Sequence, residues 1–371
     1  MNILLAFNSN YYMPALVLLK SLLVNNQWCR EIRIYVLYSD LKPGEIRRFS
    51  QVAEESGIAK AIFLPVETDT FKDAPLHLKW ISRETYYRLL AQEMLPESVE
   101  RVLYLDVDMI VMGSLEEFYH QDFEGKLLVA CNRYGLGGVD PKRLEQLTLP
   151  RDTIYFNAGT LLYDLAGQRQ QIDPNILYEY PVLFYQQLKY GDQDVLNAVF
   201  YGLTKFADWR VYNCFDSNTT RQRQEDRVRR SCKIFHYNGR GKPWTERYWG
   251  RMAWLFWDYA QLLPEYAGQY EALKEKHARF RKQRRADKAR ATRKKNRQKA
   301  EAEKRKEEEH ENSGRLHSSQ GGHPVCGGGY RKGQRELQRH DAPERKRCFR
   351  FPAAAGGYLG GSTGSAHCGG V

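Results

Sequence analysis

The chain has 371 residues, 42% of them hydrophobic and 13% aromatic, enough for one large α/β domain with appendages or for two small domains. Its formal net charge of +12 raises nucleic-acid or membrane-surface binding, but much of the charge lies in one run, residues 274–306, so it says little about the folded part. The seven cysteines have no CxxC spacing, which excludes an obvious zinc site or disulfide framework and fits a reducing cytoplasm. No stretch has the pattern of a secretory signal or the roughly 20 apolar residues of a membrane span.

The first strand is expected at residues 3–7, followed by a polar turn. Pro14 then opens a helix that Leu16, Leu19, Leu22 and Leu23 continue at helical spacing. A second strand is expected at 32–37, a helix from Pro43 to near Gly57, and a third strand at 61–66. This alternation predicts a mostly parallel sheet with helices on both faces and ligands beyond the carboxyl ends of the strands. A helix over 84–94 leads into a strand at 101–105, which runs directly into Asp106-Val107-Asp108. Residues 127–130 and 160–163 read as strands, and Asp192 reads as the N-cap of a helix through Val195, Leu196 and Val199. A short strand at 233–235 delivers His236, and the aromatic stretch 244–259 reads as helical.

The folded domain is thus expected at residues 1–267. Residues 268–312 form a charged extension, either a solvated helix or disordered, and 313–371 a Gly-rich tail expected to be disordered.

The chemistry centres on Asp106 and Asp108. Two carboxylates one residue apart, just past a strand end, can both turn toward one site and suit Mg2+ or Mn2+. A metal there can neutralise a diphosphate leaving group. An isolated pair of this kind reads first as a solvated turn. Its apolar flanks, residues 102–105 and 109–111, shift the balance, because carboxylates in such a setting are costly without a cation.

His236 stands in the segment His236-Tyr237-Asn238-Gly239-Arg240-Gly241-Lys242-Pro243-Trp244. An imidazole, two glycines and a lysine in one stretch are what clamping a diphosphate requires, although a basic surface turn has the same composition. Asn157-Ala158-Gly159 and Asp192-Gln193 are compatible with ordinary turns and caps, or with hydrogen bonds to sugar hydroxyls. Arg88 is a solvated helix residue or a phosphate contact.

Taken in order, Ser82-x-x-x-Tyr86-x-Arg88, residues 102–105 with Asp106-x-Asp108, Phe156-Asn157-Ala158-Gly159, Asp192-Gln193-x-x-Leu196-Asn197 and the segment from His236 to Trp244 resemble glycosyltransferase family 8. These are retaining galactosyl- and glucosyltransferases, the lipopolysaccharide galactosyltransferases among them. The resemblance covers roughly residues 1–259. It implies a GT-A fold, Mn2+ (or Mg2+) and a UDP-sugar donor. Carried over by position, Asp106, Asp108 and His236 would bind the metal, while Gly239 and Lys242 would hold the diphosphate. Ala6, Asn8, Asn10 and Tyr11 would form the nucleoside pocket. Arg88, Asp106, Asn157, Ala158 and Gly159 would line the donor site. Asp192 and Gln193 would be the catalytic pair, with Gln193 beside the reacting carbon. The family often carries Asp where this chain has Asn8, which leaves base preference less defined.

The acceptor would be a glycan or lipid-linked hydroxyl, with peripheral membrane contact through the basic extension; nucleic acid is not an expected partner. A haloacid-dehalogenase-type phosphatase also uses an Asp-x-Asp after an apolar strand. It would need that strand to come first and does not explain the segment from His236 to Trp244. A sugar-nucleotide-binding or membrane-surface adaptor without transfer activity is the remaining alternative.

Overall fold

The computed structural model describes residues 1–78, 82–132, 139–239 and 241–317, with side chains as far as Arg305. It divides into two units, Met1–Arg290 and Ala291–Val371.

In the first unit the chain lays down β1 (Asn2–Ala6), β2 (Ile32–Tyr38) and β3 (Ala59–Pro65) as successive parallel neighbours. It then returns to the other side of β1 with β4 (Arg101–Leu105), again parallel. Later come β5 (Met109–Val111), β6 (Leu128–Cys131), β7 (Asn157–Asp164), β8 (Thr204–Ala207), β9 (Cys214–Phe215) and β10 (Ile234–His236). The main sheet has the order β3-β2-β1-β4-β7-β6-β8, and β5-β10-β9 form a second, small sheet. The main sheet is parallel except at β7, which runs antiparallel to both β4 and β6.

The core follows from strand alternation. Ile3, Leu5, Ile34, Val36, Leu103 and Leu105 face one apolar cluster, while Leu4, Tyr35, Leu37, Val102 and Tyr104 face another on the opposite side. Both faces are covered, so these strands read as continuous apolar runs. The helix Tyr12–Asn25 supplies Leu16, Leu19, Leu22 and Leu23 to the first cluster.

The strand order reverses between β1 and β4. That makes their carboxyl ends the switch point at which ligands bind in open α/β sheets. Register pairs Ile3 with Leu103 and Leu4 with Tyr104, so β1 ends at Ala6 alongside the approach to Asp106.

Several expectations change in detail. The helix expected over 84–94 is a 3-10 run, Arg83–Leu90, followed by a short α-helix, Ala91–Met94. Five consecutive residues, Tyr86 to Leu90, are buried, so no solvent face marks a helical stripe. The aromatic stretch is helical only over Ala253–Ala260. Gly250 sits in the turns before it, where a Cβ would lie 2.2 Å from Tyr248 Oη. Asp192 is the first residue of its helix, not its cap. Gly191 caps it at φ 56°, with Tyr86 Oη 2.9 Å from where a Cβ would stand.

The helix Gln269–His317 begins inside the first unit. Tyr270 stacks on Trp257 and buried His277 donates from Nε2 to the Thr245 carbonyl at 2.8 Å. In the second unit the described residues are helical, and the side chains from Ala291 to Arg305 are exposed. Residues 318–371, most of the expected Gly-rich tail, lie outside the described residues. No helix among the described residues is long and apolar enough to cross a membrane. Cys29, Cys131, Cys214 and Cys232 are buried and form no disulfide.

Candidate active site

A cleft of about 310 Å3 opens at the switch point. Asp106 and Asp108 reach it because β4 ends at Leu105 and the chain turns at once into β5, which packs in the second sheet. Within that sheet His236 pairs with Met109, which brings the imidazole beside the two carboxylates. Backbone bonds hold the turn from both sides: Asp106 N–H donates to Gly159 O at 2.8 Å, and Tyr237 N–H to Asp108 O at 2.9 Å.

One ligand atom from each of Asp106, Asp108 and His236 lies within 4.8 Å of the others. His236 Nε2 is 3.1 Å from Asp108 Oδ1 and 3.6 Å from Asp106 Oδ2. Its Nδ1 meets Asn213 Oδ1 at 2.9 Å, which fixes the tautomer and aims Nε2 at the carboxylates. Two hard oxygens and an imidazole nitrogen held in this way fit a divalent cation such as Mn2+ or Mg2+. Gly159 makes room: a Cβ there would lie 2.6 Å from His236 Cε1, 2.7 Å from Met109 Cε and 2.8 Å from Asp106 Oδ2.

Cations surround the carboxylates. Lys242 is bonded to Asp108 Oδ2, and burial, which alone would raise the Asp108 pKa, is outweighed by Lys242 and His236, which hold it well below the usual carboxylate range. Arg88, 4% exposed, pairs with Asp106 Oδ1 at 2.9 Å and with Asp192 Oδ2 at 3.0 Å, and donates to the Ala158 carbonyl at 2.5 Å. Its guanidinium also lies 4.4 Å from the centre of the Tyr104 ring, whose hydroxyl donates to Asp106 Oδ1 at 2.8 Å. Burial lifts the Asp192 pKa to about 6, against the pull of Arg88 and with a push from Asp106.

At the other end, Asn8 Nδ2 donates to Glu84 Oε2 at 3.1 Å, and Glu84 also accepts from Ser39 Oγ at 3.2 Å. A carboxylate can only accept, so this contact sets the Asn8 amide orientation. Asn8 Oδ1 is then buried without a hydrogen-bond partner.

The structure thus gathers Ala6, Asn8, Tyr11, Arg88, Asp106, Asp108, Asn157, Ala158, Gly159, Asp192, Gln193, His236, Gly239 and Lys242 around one cleft. Asn10 is the exception: it is exposed in the turn after β1 and does not line the cleft. Tyr104 and Asn238, which stand inside the sequence motifs without an assigned role, line it as well, as do Glu84, Thr85 and Tyr190, which are missed by reading the sequence. So are Asn213, Tyr155 and Asp194 behind it. Only Asp194 carried a signal, as the second acid of Asp192-Gln193-Asp194.

Fold and cleft define a GT-A glycosyltransferase. The galactosyltransferase LgtC, solved with donor and acceptor sugar analogs, aligns over 74% of this chain and all of its own, with a TM-score of 0.61 and 26% identity. The family model of glycosyl transferase family 8 matches residues 2–248, more than half of the chain, and the protein belongs to that family. Among its relatives, the lipopolysaccharide 1,2-glucosyltransferase of Escherichia coli K12 is 26% identical over 254 residues, 66% of this chain and 72% of that one. Glycosyltransferase GlyF of Streptococcus pneumoniae is 29% identical over 266 residues, 70% of this chain and 61% of its own.

Proposed function

We propose that the protein is a metal-dependent, retaining hexosyltransferase. It moves glucose or galactose from a UDP-sugar to a hydroxyl of a glycan or glycolipid in cell-surface polysaccharide or lipopolysaccharide synthesis. The observation that carries this reading is the Asp106–Asp108–His236 set beside Lys242 at the switch point of the sheet. The names of the relatives supply the sugar and the acceptor class.

Asp106, Asp108 and His236 would hold Mn2+ (or Mg2+), which neutralises diphosphate charge and makes the nucleoside diphosphate a competent leaving group. Lys242 and the backbone at Gly239, whose φ of 114° suits only glycine, would hold the diphosphate. Ala6 and Tyr11 would flank the nucleoside. Asn8 Oδ1, held without a partner by the Glu84 contact, is an acceptor waiting for an N–H, which the uracil ring supplies. Arg88, Asn157 and Asp192 would surround the sugar.

Gln193 stands beside the reacting carbon on this reading. Its Oε1 accepts from Asn157 Nδ2 at 2.8 Å and Ala158 N–H at 3.3 Å, and an amide is a poor nucleophile. Front-face attack is therefore favoured: the acceptor oxygen bonds to the anomeric carbon on the side the phosphate leaves, and a phosphate oxygen takes the proton. The protein then works mainly by positioning and by electrostatic stabilisation. The exposed basic extension would meet an anionic membrane surface on the cytoplasmic side, where a lipid-linked acceptor is presented.

The test is hydrolysis of a panel of UDP-sugars by the full chain, with and without Mn2+ and after Asp108→Ala. Metal-dependent hydrolysis that requires Asp108 is expected and names the donor. Absence of both hydrolysis and metal-dependent UDP binding would leave a binding protein.

A further inference from the structure

Behind the cleft, Asp194 is fully buried on the helix Asp192–Val199. It meets the Arg143 guanidinium, the Tyr155 hydroxyl at 2.5 Å and the Tyr190 backbone N–H at 2.6 Å. Burial raises its pKa, but the Arg143 guanidinium and the Tyr190 N–H can only donate and favour the carboxylate, to which the Tyr155 hydroxyl must in turn donate. Tyr155, 1% exposed, must then spend its one proton on Asp194 and offers only lone pairs to its neighbour in the cleft, Gln193 Nε2, at 3.1 Å.

This sets the same direction beyond Tyr155 as two backbone donors do, Ala158 N–H to Gln193 Oε1 at 3.3 Å and Gly159 N–H to Asn157 Oδ1 at 3.1 Å. The Gln193 amide is locked with Nε2 toward Tyr155 and Oε1 toward Asn157 Nδ2 and Ala158 N–H. Asn157 Oδ1 is thereby the end that accepts, from Asn213 Nδ2 at 2.9 Å, and Asn213 Oδ1 accepts from His236 Nδ1 at 2.9 Å. Donors run one way, from His236 through three amides and a phenol to an anion.

We propose that Tyr155 and Asp194, held by Arg143, are positioning residues: they fix the orientation of the Gln193 amide and so of the carbonyl oxygen it presents to the donor sugar. The inference rests on the transferase reading for its consequence in activity. The geometry itself does not need that reading. No proton is transferred along the chain. It acts by disfavouring the alternative orientation of the Gln193 amide, which would set its Oε1 against the Tyr155 oxygen and its Nε2 against Ala158 N–H.

The experiment uses the full chain with Mn2+ and the UDP-sugar it hydrolyses. Tyr155→Phe is expected to lower kcat about 10- to 100-fold, with KM and the Kd for UDP within about twofold, because UDP lacks the sugar that Gln193 faces. In a Gln193→Ala background the same change is expected to cost less than about twofold, since its route of action is gone. Asp194→Asn, which can donate back to Tyr155 and so releases the direction, is expected to reproduce the loss in kcat. A side-chain amide NMR signal of glutamine, assigned to Gln193 by its absence in Gln193→Ala, should shift in Tyr155→Phe. Unchanged kcat in both Tyr155→Phe and Asp194→Asn, or an equal loss in the two backgrounds, overturns the proposal. If the wild type hydrolyses no UDP-sugar, the transferase reading fails instead, and the Gln193 amide signal alone decides: unmoved in Tyr155→Phe, it overturns the relay.

Discussion

At one end of the cleft Asp106, Asp108 and Asp192 stand against Arg88 and Lys242, with His236 beside them, and carboxylates are balanced by fixed cations, Arg88 at distances near 3 Å. At the neutral end Asn157 and Gln193 line the cleft with Asn213 and Tyr155 behind them, and order comes from hydrogen-bond direction. A charged set tolerates small displacements because Coulomb attraction falls slowly with distance, whereas an amide that rotates by half a turn replaces attraction with repulsion at once. The charged end is therefore suited to holding a diphosphate and a metal. The neutral end is suited to presenting one oxygen in one orientation.

The largest effect should come from the charged end. Asp108→Ala removes one of the three proposed ligands and the carboxylate that Lys242 pairs with, so UDP-sugar hydrolysis should fall by about three orders of magnitude or more and the Mn2+ dependence of UDP binding should vanish by calorimetry. If Mn2+ still tightened UDP binding in that variant, the metal would have to sit elsewhere. Next, Gln193→Ala should be impaired but alive, on the order of 10- to 100-fold in kcat, in keeping with a positioning amide. An inactive Gln193→Ala that a stronger nucleophile at the position rescues would instead indicate a covalent path.

Asn8→Ala should weaken UDP binding about 5- to 30-fold and lessen the preference for UDP over other nucleoside diphosphates, the loss expected for one buried hydrogen bond. Equal loss for every base would show that Asn8 supports the loop and does not read uracil.

A last effect, no larger than that of Asn8→Ala, concerns a carboxylate outside the ion pairs of the cleft. Asp216 accepts from Tyr248 Oη at 2.8 Å, and burial lifts its pKa to about 6, against the pulls of that bond and of Lys242. A folded pKa above the unfolded value means that its contribution to stability is fully present below about pH 4 and is lost as pH rises through 6. Asp216→Asn should match the wild type near pH 4 and exceed it by about 1–2 kcal/mol at pH 7.5 in thermal or urea unfolding. Equal stability at both pH values would show that the carboxyl is better solvated than its surroundings suggest.

The charged end was legible in the sequence because Asp106-x-Asp108 follows the apolar strand Arg101–Leu105, and because His236, Gly239 and Lys242 fall in one segment. Parallel strands buried on both faces also announce themselves as unbroken apolar runs, which is why β1, β2 and β4 could be placed from residues alone. The neutral end was mostly illegible. Asn213 precedes a two-residue strand, and Arg143 lies on a six-residue helix with no apolar period. Tyr155 reads as one more core aromatic. Their contacts depend on β7 running antiparallel between β4 and β6, a reversal that strand composition does not encode.

Gly159 carries a consequence for how this cleft can change over generations or in a library. The smallest possible side chain there meets an imidazole, a thioether and a carboxylate at once. Variation that reshapes the donor pocket is therefore confined to its margins, and a saturation scan should find this position empty of survivors while most charged positions outside the cleft accept many replacements.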